Sequence, residues 1–105
     1  MDDALFIVET TLGGSLNEAE VGIWVQSIID LNLASCAQIN KIRSIYYWNK
    51  EIKSEPEWSI RFKTTKSKTN NLVNKIESTH PYEVPEILFW GAHSNDSYIQ
   101  WLEGE

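Results

Sequence analysis

Ser35-Cys36-Ala37-Gln38-Ile39-Asn40-Lys41-Ile42-Arg43-Ser44-Ile45-Tyr46-Tyr47-Trp48, followed by Asn49-Lys50-Glu51 and then by Glu57-Trp58-Ser59-Ile60-Arg61-Phe62-Lys63, is the stretch whose reading decides the fold. Ala37 and Ile39 alternate with Gln38 and Asn40, the phase slips at Asn40-Lys41, and alternation resumes through Ile45, Tyr46, Tyr47 and Trp48. A phase slip within a strand predicts a bulge or bend. Asn49-Lys50-Glu51 reads as a hairpin turn, and the returning strand carries Trp58, Ile60 and Phe62 on one face. A strand of about 14 residues at about 3.3 Å each extends roughly 45 Å, whereas a domain of about 100 residues has a radius of gyration of about 13 Å. The hairpin tip should therefore project beyond its own domain. Tyr46, Tyr47, Trp48 and Trp58 on such an arm predict a surface that pairs with another copy of the chain.

Outward from the hairpin, residues 4–11 form a nearly continuous apolar run stopped by Gly13-Gly14, which predicts a buried central strand. Ser15 and Glu18 have the spacing of a capping box, so a helix is expected to begin at Ser15. Val21, Trp24, Val25, Ile28 and Leu31 then give it one apolar stripe, and Asn32 can stop it in a left-handed conformation. After the hairpin, Thr65 or Ser67 can cap a second helix through Leu72, Val73 and Ile76, ending at Thr79 or His80 before Pro81. His80-Pro81-Tyr82-Glu83-Val84-Pro85-Glu86 should be a stiff extended connector, because each proline fixes its own φ and steers its predecessor out of helix. Ile87-Leu88-Phe89-Trp90 reads as a fourth strand, and Tyr98-Ile99-Gln100-Trp101-Leu102 as a short closing helix capped by Asn95 or Ser94.

The order β-α-β-β-α-β plus a terminal helix is an α+β, ferredoxin-like pattern with two helices on one face of the sheet. At 105 residues, 42% of them hydrophobic, the chain suits one compact domain over residues 1–105. The acidic start at Asp2-Asp3 and the lack of any apolar run near 20 residues predict a protein that does not enter a membrane. A single cysteine, Cys36, agrees with a reducing compartment, so a cytoplasmic location is expected. A formal charge of -6 argues against a nucleic-acid partner and favours cations or proteins.

Several stretches together resemble the CutA family of divalent-cation tolerance proteins. They are Leu33-Ala34-Ser35-Cys36-Ala37-Gln38-Ile39, Ser44-Ile45-Tyr46-Tyr47-Trp48, Phe62-Lys63-Thr64-Thr65, His80 through Glu86, and Tyr98-Ile99-Gln100-Trp101-Leu102, in the family's order and over nearly the whole chain. The resemblance implies a ferredoxin-like homotrimer similar in architecture to the nitrogen-regulatory PII proteins, cytoplasmic, linked to tolerance of copper and other divalent cations, and without an established enzymatic reaction. The chain departs from it in two places. Glu9 or Thr10 stands where some bacterial members carry a cysteine proposed as a metal ligand, and Asn40-Lys41 stands where a proline is often seen in the long strand. Without that thiolate, nitrogen and oxygen donors for Cu(II) or another divalent cation are favoured over a Cu(I) site.

Within that frame, His80, Glu83 and Glu86 are the candidate metal ligands, completed in a trimer by an adjacent subunit. A competing reading makes the same stretch a rigid joint, with His80 capping the last carbonyls of the second helix and Glu83 or Glu86 paired with a Lys or Arg across a subunit boundary, and a third gives it a small organic ligand at the subunit cleft. Thr65, Lys66 and Ser67, at a strand end running into a helix, are candidate anion ligands or else an ordinary cap. Cys36 is expected to be a small core residue and His93 to be solvated. Two alternatives remain open: a PII-like structural or signalling scaffold with no metal role, and an acylphosphatase-type hydrolase, which is disfavoured because Thr10-Thr11-Leu12-Gly13-Gly14-Ser15 holds no arginine for a phosphate loop.

Overall fold

The computed structural model describes residues 5–104; the expected strand start at Ala4 and the acidic residues before it lie outside that range. The elements are β1 (Leu5–Gly13), α1 (Glu18–Asp30), β2 (Cys36–Trp48), β3 (Glu51–Thr65), a short 3-10 turn (Lys66–Lys68), α2 (Thr69–Thr79), β4 (Ile87–Ala92) and α3 (Asp96–Gly104). The strands form one sheet in the order β2-β3-β1-β4, with every neighbouring pair antiparallel. Val8 and Leu12 of β1 and Trp58, Ile60 and Phe62 of β3 point to the side where Val21, Val25 and Ile28 of α1 and Leu72 and Ile76 of α2 complete the core. The α+β, ferredoxin-like architecture is thus built as the alternation of β1 and β3 requires, with the apolar stripes of two helices on one sheet face.

α1 begins two residues later than its expected start. Leu16 donates its amide to the Gly13 carbonyl, which closes a turn around Ser15 and takes that residue out of capping position. The capping box is formed by Asn17 and Glu20 instead, each side chain accepting from the other's amide at 2.8 and 3.0 Å. Asn32 stops the helix at φ 59° as expected, but Leu31, placed in the apolar stripe by spacing, is 53% exposed as the C-cap residue. The turn before α1 also fixes Gly14. A Cβ there would lie 2.4 Å from the Pro56 carbonyl oxygen, to which the Gly14 amide donates at 3.1 Å, so only glycine allows this approach.

The β2–β3 hairpin pairs without interruption from Cys36 opposite Lys63 to Trp48 opposite Glu51, so the expected bulge at Asn40-Lys41 is not there. β1 ends at Gly13, opposite Glu57, and beyond that point residues 43–56 form a two-stranded arm with no third strand beside it among the described residues. Without a core face, the arm has no need to keep apolar residues in one phase, and that is the physical origin of the slip in the sequence. The turn itself is the two residues Asn49 and Lys50, at φ 50° and 63°, the pair of positive values that matches hairpin twist; Glu51 already belongs to β3. Pro56 is tolerated because its carbonyl, and with it the position of its missing N–H, faces the Gly14 side, away from the β2 ladder.

Neither Thr65 nor Ser67 caps the helix that follows; their hydroxyls lie 3.2 Å from each other, and a 3-10 turn leads into α2. α2 ends at His80, whose ψ of 136° is the extended geometry that Pro81 demands. The closing helix α3 forms as expected. Its Leu102 is fully buried, and the Leu102 carbonyl accepts from the Ser35 hydroxyl at 3.2 Å.

Candidate functional site

Residues 81–86 leave the end of α2, cross the lower end of β1 and feed β4. Three contacts fix this crossing. The Thr10 hydroxyl donates to the Glu86 carbonyl at 2.7 Å, the His80 ring meets the Thr11 carbonyl at 2.7 Å through Nε2, and the Tyr82 amide donates to His80 Nδ1 at 3.0 Å. A carbonyl can only accept and an amide can only donate, so the ring is the neutral tautomer with its proton on Nε2. Trp24 of α1 stands edge-on to the same ring at 6.1 Å between centroids and donates its indole N–H to Thr79. Burial lowers the His80 pKa below the usual histidine value, opposed by the Thr11 carbonyl and the charge of Glu57.

Tyr82 carries the crossing on to the arm. Its ring packs against His80 at 5.0 Å, and its hydroxyl donates to Glu57 at 2.7 Å. Burial first, and then this carboxylate, push the phenol well above the usual tyrosine value. One step further out the pattern repeats: the Tyr46 hydroxyl donates to Glu55 at 3.0 Å, which raises its pKa as well. Glu55 and Glu57 are two residues apart on one strand and so share a face. Between the arm and the 81–86 segment lies a groove of about 760 Å³, lined by the aromatic residues Tyr46, Trp48 and Tyr82 and by the acidic residues Glu55, Glu57, Glu83 and Glu86, with no basic residue among the described residues of its wall.

The expected ligand set is therefore rearranged. Glu83 and Glu86 both line the groove, but His80 is turned the other way, with both ring nitrogens engaged by backbone groups, and it does not cap the α2 carbonyls either. Among the described residues no three His, Cys, Asp or Glu side chains gather closely enough to hold a metal ion. Glu9, at the place of the absent cysteine, accepts from Ser59 and Arg61 at 3.3 Å, and Thr10 is bonded to Glu86, so neither is a soft donor. Thr65, Lys66 and Ser67 line a separate depression of about 380 Å³ with Lys68 and Glu103, the latter a carboxylate that opposes an anion. Cys36 is half-buried beside Tyr98, whose phenol is raised by burial and then by the thiol, and His93 is exposed.

Of the four residues expected to pair copies of the chain, Tyr46, Tyr47 and Trp48 are exposed on the arm. Trp58 is a correction. It is 6% exposed on the helix-covered side of β3 and donates its indole N–H to the Leu16 carbonyl at 2.9 Å, so it is a core residue of the single chain. Ile45, Tyr47 and Ile52, exposed at 70%, 70% and 75%, form the apolar face of the arm in its place. Sequence reasoning missed Glu55, Glu57 and the anchoring role of Tyr82. Strand alternation does place both glutamates on the face opposite Trp58, Ile60 and Phe62, but nothing local shows that Tyr82, 25 residues from Glu57, will reach them.

The model of the CutA1 divalent ion tolerance protein family matches residues 7–105. The divalent-cation tolerance protein CutA of Thermotoga maritima is 30% identical over 99 residues, covering 93% of this chain and 95% of that protein. The Salmonella newport protein of the same name is 32% identical over 88 residues, 82% of this chain and 76% of its own. Among solved structures, CutA from Synechococcus elongatus superimposes with a TM-score of 0.90 at 32% identity, over 98% of this chain and 90% of that one. CutA1 from Ehrlichia chaffeensis gives 0.87 at 28% identity, over 99% and 96%.

Proposed function

The chain belongs to the CutA1 divalent ion tolerance family, and from that premise we propose that it serves tolerance of divalent cations as a homotrimer that takes a cation, Cu(II) among the candidates, in the groove between the arm and residues 81–86. The observation that carries this reading is the groove's lining by four acidic residues and no basic one. Oxygen donors of this kind suit hard or borderline divalent ions. Donors from one chain do not make a complete site among the described residues, so the proposal draws the rest from a neighbouring copy. The apolar face of Ile45, Tyr47 and Ile52 supports such a neighbour, because a two-stranded arm is poorly stable when it stands alone. The lone Cys36 supports a reducing, cytoplasmic setting, and the activity is binding, with no catalytic step.

A second reading is favoured by one specific observation, the engagement of both His80 nitrogens by backbone. In it the trimer is a PII-like signalling or structural scaffold and the groove has no metal role. Calorimetric titration of metal-free protein with Cu(II), beside the Glu55→Gln/Glu57→Gln double variant, separates the two. The cation reading expects binding tighter than about millimolar, roughly -4 kcal/mol, that weakens in the variant. Binding no tighter than that, or binding unchanged by the substitutions, leaves the scaffold.

A further inference from the structure

We propose that His80 is a proton-operated latch beside the groove: its neutral ring clips the Tyr82 amide on the β1 side, and protonation at Nδ1 releases that clip at Tyr82 while the Thr10 hydroxyl still holds the Glu86 carbonyl at the far end of the segment. The regulatory meaning rests on the groove being the ligand site, whereas the latch itself rests on bonding geometry alone.

In the neutral ring each nitrogen has one partner of fixed polarity, the Thr11 carbonyl at Nε2 and the Tyr82 amide at Nδ1. A second proton has one place to go, Nδ1, where it meets the Tyr82 N–H head-on. Two donors then face each other, and the clip is lost while the Nε2 bond to Thr11 persists. The groups around the ring do little to prevent this. β1 presents only the Thr11 carbonyl, α1 the uncharged Trp24 indole, and α2 the Thr79 hydroxyl, itself bonded to Trp24 and to the Lys75 carbonyl. β3 presents Glu57, which favours the imidazolium, and the segment itself presents the Tyr82 phenol. Burial outweighs these, so the ring stays neutral at pH 7 and takes its proton below about pH 6.5.

Release of Tyr82 matters because it bridges the two walls. Its amide is held on the β1 side by His80, and its hydroxyl on the arm side by Glu57. With the amide unclipped, the phenol remains as the only side-chain tie from residue 82, and Glu57 is no longer held from a fixed backbone. His80 is in this sense a positioning residue for a groove carboxylate that it does not touch.

Hydrogen exchange of the Tyr82 amide, followed by NMR in the full chain without added metal, tests the latch together with the ring-nitrogen shifts of His80. The expected result is an Nε2–H tautomer at neutral pH and a protection factor at Tyr82 that drops about tenfold, the scale of one hydrogen bond, as the ring titrates below about pH 6.5, while Leu72 and Ile76 in the core keep theirs. His80→Asn offers an amide oxygen in place of Nδ1 and cannot titrate, so its Tyr82 protection should not respond to pH over this range. Protection that ignores the His80 titration, or falls equally in His80→Asn, overturns the latch. Because no metal is present, a chain that binds no Cu(II) can still pass this test and one that binds it can fail, which keeps the latch and the groove reading separately falsifiable.

Discussion

The body of the sheet and the arm side of the molecule are held by different physics. In the body, Val8, Ile60 and Phe62 are fully buried beneath the two helices that cover one sheet face, and each fixes its strand's phase because a slip by one residue would expose the whole row. On the arm side, register is set by the Asn49-Lys50 turn and the backbone ladder, and the groove wall is held by single polar links, His80 to Tyr82 and Tyr82 to Glu57. The body tolerates little change in volume. The groove tolerates changes in volume and responds to charge and protonation.

The contrast can be broken most severely at its buried end. Phe62→Ala empties a fully buried site against Trp24, and an unfolding free energy lower by about 3–5 kcal/mol is expected in denaturant titrations at fixed protein concentration. Gly14→Ala, at the joint between body and arm, forces a Cβ onto the Pro56 carbonyl and should cost about 1–3 kcal/mol in the same assay. An effect near zero would mean that the joint yields and the two regions are less separate than described.

Tyr82→Phe removes only the hydroxyl bonded to Glu57, and a loss of about 1 kcal/mol is expected by thermal unfolding. Smaller still is the pH effect of His80. Its pKa is lowered in the folded chain, so the unfolded chain binds the proton more readily; this stability is complete above about pH 6.5 and falls as pH drops from there toward the folded value. His80→Asn should flatten that part of the pH–stability curve. Ile52→Asn on the arm is the least disruptive to the single chain, within about 0.5 kcal/mol, yet it should weaken association of copies in sedimentation.

Most of the body was legible in the sequence because its signals are local and redundant. The alternation of Trp58, Ile60 and Phe62, the left-handed Asn32 and the extended His80 before Pro81 each follow from one residue's own geometry. The errors lie where a second segment decides. The capping box forms at Asn17 and Glu20 because the Gly13 carbonyl takes the Leu16 amide, and the burial of Trp58 is invisible locally because its partner, the Leu16 carbonyl, is 42 residues away. The candidate site was legible as a stretch and not as a geometry. His80 through Glu86 stood out by composition, but which way the imidazole faces depends on the Thr11 carbonyl, 69 residues before it, and no spacing rule reports that.

The proposed function requires that the arm-side groove belong to an assembly that takes a divalent cation. Native mass spectrometry of the metal-free protein, with and without Cu(II), tests it most directly because subunit number and metal count are read from one spectrum. The account expects a trimer that gains copper up to one ion per chain; a monomer, or a trimer whose mass copper leaves unchanged, would contradict it.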